Sequence, residues 1–150
     1  MANIIHISDA ASIAIHTMAV LAGDSKTVMR TAQIAEALDV SEAHLAKVLQ
    51  RLTKAGMVTS ERGPKGGFLA AKNADSITLL DIYELIDGPL TEPRCLLNLP
   101  VCRGQKCMFG DVLHNTHRKI RQLLDKTKLA DVKHLMPAVE PGKPDGRKLS

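Results

Sequence analysis

Apolar residues recur every three or four positions in five stretches of this chain, and that spacing predicts helices with one buried side. Ser41 and Thr78 stand where a side chain can cap a helix, and Asp81 forms a cap-and-return pair with Thr78. Gly23 and Gly88-Pro89 end the first and fourth patterns. The first helix is expected to lie in the core. The five stretches are about 8–22, 31–38, 41–55, 78–88 and 109–126.

The pattern changes after Gly56. Residues 57–62 and 68–71 suit two short strands, and the segment Gly63-Pro64-Lys65-Gly66-Gly67 between them is rich in residues that tight turns favour. Two short helices followed by such a hairpin predict a winged helix-turn-helix, which places its second helix in a DNA groove. The expected fold is therefore mainly α with a small β-hairpin, to which a long dimerisation helix is added further along the chain.

The helix that begins at Ser41 has two unlike faces. Its apolar stripe is expected to pack against the helix at 31–38 and consists of Leu45, Val48, Leu49 and Leu52. The other face is basic and polar, and the wing carries further basic residues. The candidate DNA-contacting residues are Ser41, Ala43, His44, Lys47, Gln50 and Arg51 of this helix and Arg62, Lys65 and Gly66 of the wing.

Positive charge is concentrated in the same region. Residues 41–72 contain six Lys or Arg and two Asp or Glu, while the whole chain has a formal net charge of +4. A charged helix face alone is more often only a solvated face, so the wing and this local excess are what favour phosphate binding. The chain has no Trp, one Tyr and two Phe, which leaves little material for stacking single-stranded bases. Double-stranded DNA is therefore the predicted partner.

Enzymes and membrane proteins are disfavoured. No nucleophile, base and orienting group form a recognisable catalytic motif, and the wing glycines lack the Gly-Lys-Ser/Thr ending of a phosphate-binding loop. The first residues lack the basic start of a signal peptide, and the longest apolar run, 13–22, is broken by His16 and too short to span a membrane. We expect a cytoplasmic protein that is not an enzyme.

All three cysteines, Cys95, Cys102 and Cys107, fall between Pro89 and Gly110, where no period persists. An odd number of thiols in a reducing compartment argues against a disulfide framework. Each cysteine has a basic neighbour in sequence, which favours the thiolate, and Cys107 is expected at the N-terminus of the next helix. The spacing of six and then four residues lacks the tight pairs of zinc sites, so it favours a polynuclear metal cluster. Thiol sensing, structural zinc and inert cysteines remain alternatives.

The helix at about 109–126 is amphipathic, and pairing with the same helix of a second copy would cover its apolar stripe. The predicted organisation is a winged helix-turn-helix domain at 1–88, a cluster-binding loop at 89–109, a dimerisation helix at 110–130 and an extension at 131–150. The segment 137–150 has three prolines and no apolar period, so it is predicted to be a disordered tail.

Several of these features together resemble the IscR/NsrR family of winged-helix transcription regulators. They are the wing sequence Arg62 to Phe68, the helix ITLLDIYELIDG, the cysteine loop and the ending Leu129-Ala130-Asp131. The resemblance implies a homodimer that binds palindromic promoter DNA, as a repressor or activator. It also implies an iron–sulfur cluster, 2Fe-2S or 4Fe-4S, that responds to iron, nitric oxide or redox state. Cys95, Cys102 and Cys107 match the family's cluster ligands.

Two departures from the family pattern concern the cluster. The intervals between the cysteines differ from those usual in the family, and no histidine follows Cys107 before His114. Asp9 best matches the aspartate that some NsrR proteins bring from a partner's first helix, although it is also suited simply to favour the helix dipole. Weaker candidates are His6, His16, His114 and His117. The alternative function is a cluster-free winged-helix regulator that senses thiol oxidation or a protein partner.

Overall fold

The computed structural model describes residues 5–97, 101–102, 107–136 and 138–139. Two short 3₁₀ turns, Ala74–Ser76 and Lys133–Leu135, accompany the regular elements. The predicted class, mainly α with a two-stranded hairpin, is confirmed. In chain order the elements are α1 (Asp9–Gly23), α2 (Thr31–Leu38), α3 (Glu42–Lys54), β1 (Val58–Glu61), β2 (Gly67–Ala70), α4 (Leu79–Asp87), α5 (Val112–Lys126) and α6 (Leu129–Val132).

Helix α1 lies at the centre of the core, as predicted. Ala11, Ala14, Met18 and Leu21 have no exposed surface, and the helix packs against α2, α3, α4, β2 and α6. Ser8 caps it, because its hydroxyl accepts a hydrogen bond from the Ala11 N–H at 3.1 Å. Helices α2, α3, α4 and α6 are therefore arranged around α1.

The helix-turn-helix forms as the sequence pattern predicts. Ser41 caps α3 by accepting from the His44 N–H at 3.2 Å, and Asp39 ends α2 in the left-handed region at φ 53°. The predicted apolar stripe of α3 is buried. It packs against α2, where Ile34 and Ala35 are also buried. Burial of this stripe leaves the polar face of α3 on the outside.

The wing is an antiparallel pair in which Val58 lies opposite Ala70 and Glu61 opposite Gly67. Met29, ahead of α2, adds to it: its N–H donates to the Phe68 carbonyl at 3.0 Å, and its carbonyl accepts from the Phe68 N–H at 2.8 Å. The wing is thus bonded to the entrance of α2. Sequence reasoning missed this bridge, since a single paired residue has no periodicity.

Helix α4 carries the predicted cap-and-return pair. The Thr78 hydroxyl accepts from the Asp81 N–H at 3.1 Å, and the Asp81 carboxylate accepts from the Thr78 N–H at 3.0 Å. The Tyr83 hydroxyl donates to the His6 carbonyl at 2.9 Å, and burial raises the pKa of Tyr83 above its usual value. Gly88, with φ 84°, ends the helix.

The last long helix begins later than predicted. Helix α5 starts at Val112, because a turn closed by the Gly110 N–H and the Cys107 carbonyl at 2.8 Å precedes it, and Gly110 takes a positive φ of 54°. The prediction that Cys107 lies at the N-terminus of this helix was wrong, since five positions separate it from Val112. A helix-dipole effect on this thiol therefore has no basis.

The apolar side chains of α5 do not form the single exposed stripe that was predicted. Leu113 and Leu124 are buried within the chain, whereas Val112 and Leu123 are 61% and 64% exposed. Helix α6 packs back on the fold: Leu129 is fully buried, and its N–H donates to the Ile77 carbonyl at 2.9 Å.

The predicted domain boundaries stay predictions. Most of the segment expected to be a disordered tail, 137 and 140–150, lies outside the described residues. Within the part of the chain that is described, no helix has the length and apolar character needed to cross a membrane.

Candidate DNA interface and cysteine loop

The outer face of α3 is open to solvent. Five candidate DNA-contacting residues at its cap and along this face are exposed, and the α3–α2 packing holds their backbone in place. Such a face can present side chains to base edges and phosphates. The five are Ser41, Ala43, His44, Lys47 and Gln50.

The wing brings a second basic surface beside α3. Arg62 and Lys65 are exposed at its tip. Gly66 is needed for the turn itself. A Cβ at this position would overlap the carbonyl oxygen of Glu61, so the turn requires glycine. Two of the three predicted wing residues are thus placed to meet a ligand, while the third shapes the turn that carries them.

Arg30 was not among the predicted residues, and it joins the wing to the helix-turn-helix. Its guanidinium donates to the Pro64 carbonyl at 2.7 Å, while its N–H donates to the Gln33 side chain at 2.9 Å. It therefore fixes the wing tip relative to the start of α2 and adds a positive charge there. The sequence offered one weak signal, a basic residue directly before a predicted helix.

Arg51 differs from the other candidates on α3. One terminal nitrogen of its guanidinium donates to the carbonyls of Leu85 at 2.8 Å and Ile86 at 2.9 Å. These carbonyls belong to the last turn of α4, whose oxygens have no partner within the helix. The cation also interacts favourably with the negative end of the α4 dipole. Arg51 therefore contacts the protein itself through the very group that was expected to reach DNA.

The three cysteines are present as free thiols in the stretch that joins α4 to α5. Cys102 is exposed and the other two are half-buried. The Cys95 sulfur accepts a hydrogen bond from the Leu97 N–H at 3.4 Å, an interaction that commonly stabilises ligand sulfur in iron–sulfur proteins. By chemistry this donor set fits an iron–sulfur cluster.

The three cysteine side chains are not gathered into one metal site in the described part of the chain. Among the residues that the structure describes, no group of three His, Cys, Asp or Glu side chains is gathered closely enough to hold a metal ion. Residues 98–100 and 103–106, between the cysteines, lie outside the described ranges. Binding a cluster would thus require the loop to draw the three thiols together.

The beginning of the cysteine loop is bonded to α4 and α5. The buried Leu90 donates its N–H to the Glu84 carboxylate at 3.1 Å and accepts from the Arg121 guanidinium at 3.0 Å, while Arg121 also pairs with Glu84 at 3.1 Å. Two residues further on, Glu92 bonds the His114 ring at 2.7 Å, and this hydrogen bond holds the pKa of Glu92 below its usual value. A displacement of the loop would therefore act on both helices.

Asp9 lies exposed in the first turn of α1. The neighbouring Ser8 bonds the Asp87 carboxylate through its N–H at 2.9 Å and through its hydroxyl. Because Asp87 is the last residue of α4, Asp9 is held at the end of the molecule where the cysteine loop departs.

The four histidine candidates occupy different environments. His6 and His16 are exposed, and the His16 ring bonds the Ser12 carbonyl at 2.7 Å. The His114 ring is paired with Glu92. His117 is 4% exposed, and its Nε2 finds no partner within the described residues. The structure brings none of them together with the cysteines as a ligand group in the described ranges.

Comparison with known proteins places this architecture in a family. The profile of the Rrf2 family, described as iron-dependent transcriptional regulators, matches residues 7–134. A helix-turn-helix transcriptional regulator of Aquifex aeolicus is 31% identical over 138 residues, which cover 87% of this chain and 96% of that protein.

Two solved structures share the fold. IscR of T. potens is 26% identical with a TM-score of 0.64, and the match covers 85% of each chain. The oxidized form of Staphylococcus aureus CymR is 25% identical with a TM-score of 0.67, covering 86% of this chain and 96% of that one. The resemblance found from the wing and cysteine loop is confirmed. With its helix-turn-helix and wing in place, the chain belongs to the Rrf2 family of DNA-binding transcriptional regulators.

Proposed function

We propose that this regulator binds palindromic promoter DNA as a homodimer, and that an iron–sulfur cluster held by Cys95, Cys102 and Cys107 controls its affinity. The observation that carries this proposal is the position of the three free thiols, in a loop bonded to α4 and α5. A structural change in that loop would be transmitted through α4 to the helix-turn-helix and the wing.

DNA recognition falls to α3 and the wing. The exposed face of α3 would enter the major groove, while Arg62 and Lys65 at the wing tip would contact the backbone or the adjacent groove. The basic residues neutralise phosphates, and Gln50 and His44 can hydrogen-bond base edges. The family membership and the exposed basic face support this assignment.

A second copy of the chain would cover the outer face of α5. Val112 and Leu123 are exposed three turns apart on that helix, and Met108 just before it is 89% exposed. Two-fold pairing through these residues would place two copies of α3, the proposed recognition helix, on one DNA duplex. Because a symmetric dimer reads two equivalent half-sites, a palindromic operator follows.

The cysteines would supply three thiolate ligands to the cluster in each subunit. When bound, the cluster supplies an iron–sulfur centre that reacts with nitric oxide, oxygen or a change of redox state. Asp9 is the fourth ligand we favour, and by the family pattern it would come from the first turn of α1 of the second copy. A carboxylate is a hard ligand for thiolate-bound iron, so it would yield its place to a small molecule more readily than a fourth cysteine.

Thiol sensing without a cluster is the second candidate function. Cys102 is exposed and free, and is thus open to oxidation. The fold neighbour CymR of Staphylococcus aureus was solved in an oxidized form. On this alternative, DNA affinity would respond to an oxidant in protein that contains no iron.

The deciding experiment uses protein purified without oxygen. Its visible spectrum, iron and acid-labile sulfide are measured on one sample, and its affinity is measured for a duplex selected from a random library. Cluster control predicts brown protein whose DNA affinity changes on exposure to air. Colourless protein that cannot be reconstituted, with affinity that still responds to an oxidant, supports thiol sensing instead.

Replacing one ligand tests the same proposal at residue level. Cys102→Ala should lose iron and make DNA affinity insensitive to air, because two thiols per loop hold a cluster poorly. Val101→Ala is the control, since Val101 is 76% exposed beside Cys102 and its side chain has no ligand atom. An unchanged response to air in Cys102→Ala contradicts cluster control.

A further inference from the structure

The last turn of α4, Glu84 to Asp87, is bonded to three other helices and to the cysteine loop. Asp87 accepts two hydrogen bonds from Ser8 at the start of α1. Glu84 pairs with Arg121 of α5 and accepts from the Leu90 N–H. We name this turn the α4 junction.

The recognition helix is attached to the α4 junction by Arg51. Its guanidinium donates to the carbonyls of Leu85 and Ile86 at 2.8 and 2.9 Å. The two residues are 34 and 35 positions away in sequence, so the contact joins separate parts of the fold. Arg51 lies four residues after Lys47 on α3, so the two side chains are neighbours on one side of the helix.

Arg51 differs from the other basic residues of the candidate interface in the hydrogen bonds that its side chain makes. For Lys47, the structure shows no hydrogen bond to the described part of the chain, so its ammonium is available to phosphate. The Arg51 guanidinium has two carbonyl partners on one terminal nitrogen, and these bonds fix its position relative to α4. A charge-assisted bond of this kind is stronger than one between neutral groups.

We infer that Arg51 is a positioning residue that transmits the state of the cysteine loop to the recognition helix through the carbonyl groups at the end of α4. This inference rests on the proposed function, because it names the route by which loop state would alter DNA affinity. Movement of Leu90 would act on Glu84 through their hydrogen bond. The resulting movement of the α4 junction would displace the two carbonyls to which Arg51 donates. A change in the cysteine loop would in this way change the orientation of α3.

The test compares DNA affinity in two states of each protein. Anaerobic cluster-loaded protein and protein stripped anaerobically with an iron chelator are titrated on one selected duplex at several KCl concentrations. The variants are Arg51→Gln and Arg51→Lys. Lys47→Gln is the matched control, because it removes the same charge one turn earlier on the same helix.

The expected result is a loss of coupling. Wild type should show an affinity ratio between the two states of about 5- to 150-fold, as is typical of allosteric coupling. Arg51→Gln should bring the ratio close to one without changing the salt dependence of binding. Arg51→Lys should keep part of the ratio, since an ammonium can still donate to a carbonyl. Lys47→Gln should keep the whole ratio and reduce the slope of log affinity against log salt by about 0.9.

A purely structural role of Arg51 is tested separately. Thr78→Ala removes a cap at the opposite end of α4 and should lower stability while leaving the ratio unchanged. If Thr78→Ala also abolishes the ratio, the effect of Arg51 is one of helix stability and the inference is overturned. If Arg51→Gln does not fold, Arg51→Lys decides: a reduced ratio at unchanged salt slope supports the inference, and a full ratio overturns it.

Two further outcomes overturn the inference in distinguishable ways. If Arg51→Gln keeps the wild-type ratio and loses slope as Lys47→Gln does, Arg51 contacts phosphate, and the proposed function stands. A wild-type ratio of one overturns cluster control itself, and the route through Arg51 with it.

Discussion

Single residues decide whether the wing can form. A Cβ on Gly67 would lie 2.5 Å from the Met29 carbonyl oxygen, at the point where Met29 and Phe68 exchange two backbone hydrogen bonds. Gly66 is equally restricted by the Glu61 carbonyl. These glycines allow two backbones to approach, and this close approach sets the position of the exposed wing tip.

Gly67→Ala should therefore destabilise the protein by about 1–3 kcal/mol, the usual cost of overpacking. The new methyl group must push Met29 away and break the bridge to Phe68. Urea unfolding followed by circular dichroism measures the change. Gly23→Ala is the control: its Cβ would make an ordinary contact of 3.7 Å with the Lys133 carbonyl oxygen, so no loss of stability is expected. Equal effects of the two substitutions would contradict this account.

At the scale of elements, α4 connects the parts of the molecule. Its first turn is stabilised locally by Thr78 and Asp81, whereas its last turn is bonded to α1, α3 and α5 and to the start of the cysteine loop. The first turn also has a partner across the fold, since the Leu79 N–H donates to the Thr127 carbonyl at 2.9 Å. The last turn differs in that its partners include α3 and the start of the cysteine loop.

Thr78→Ala should lower the free energy of unfolding by about 1 kcal/mol, the usual effect of losing an N-terminal cap. The Asp81 N–H loses its acceptor, while the Asp81 carboxylate keeps its bond to the Thr78 backbone. Thr78→Ser retains the hydroxyl and should stay within a few tenths of a kcal/mol of wild type. Chemical denaturation of the three proteins side by side checks this, and a loss shared by Ser and Ala would rule out the cap as its cause.

At the scale of the whole molecule, the candidate DNA-contacting residues and the cysteines lie on different elements. Helix α1 holds α2, α3 and α4 together through its buried surface. The basic face of α3 and the wing are exposed, and the exposed apolar residues of α5 belong to another element. This separation suits a regulator in which dimerisation, sensing and DNA binding use different surfaces.

The proposed homodimer predicts that Leu123→Glu is a monomer and binds a palindromic duplex at least about tenfold more weakly, since half of the phosphate contacts would be lost. Burying a charged side chain in an apolar dimer contact is unfavourable. Light scattering after size-exclusion chromatography gives the mass. Leu135→Glu is the matched control, because Leu135 is 70% exposed outside α5. A dimeric Leu123→Glu variant would place the interface elsewhere.

Local interactions explain why much of the molecule could be read from its sequence. The helix bounds of α1 to α4, the caps at Ser41 and Thr78, the buried stripe of α3 and the hairpin all depend on residues a few positions apart. The family also followed, because its wing and cysteine pattern are short and specific.

Only the tertiary structure decided what distant residues do to one another. From the sequence, Arg51 is expected to be a surface cation. In the structure, its guanidinium donates to carbonyls more than thirty positions away. The Met29 bridge, the Arg30 contact with the wing and the division of α5 into buried and exposed apolar residues arise in the same way. The physical reason is that period and capping report only the nearest neighbours of a residue, whereas partners across the fold are set by how the helices pack.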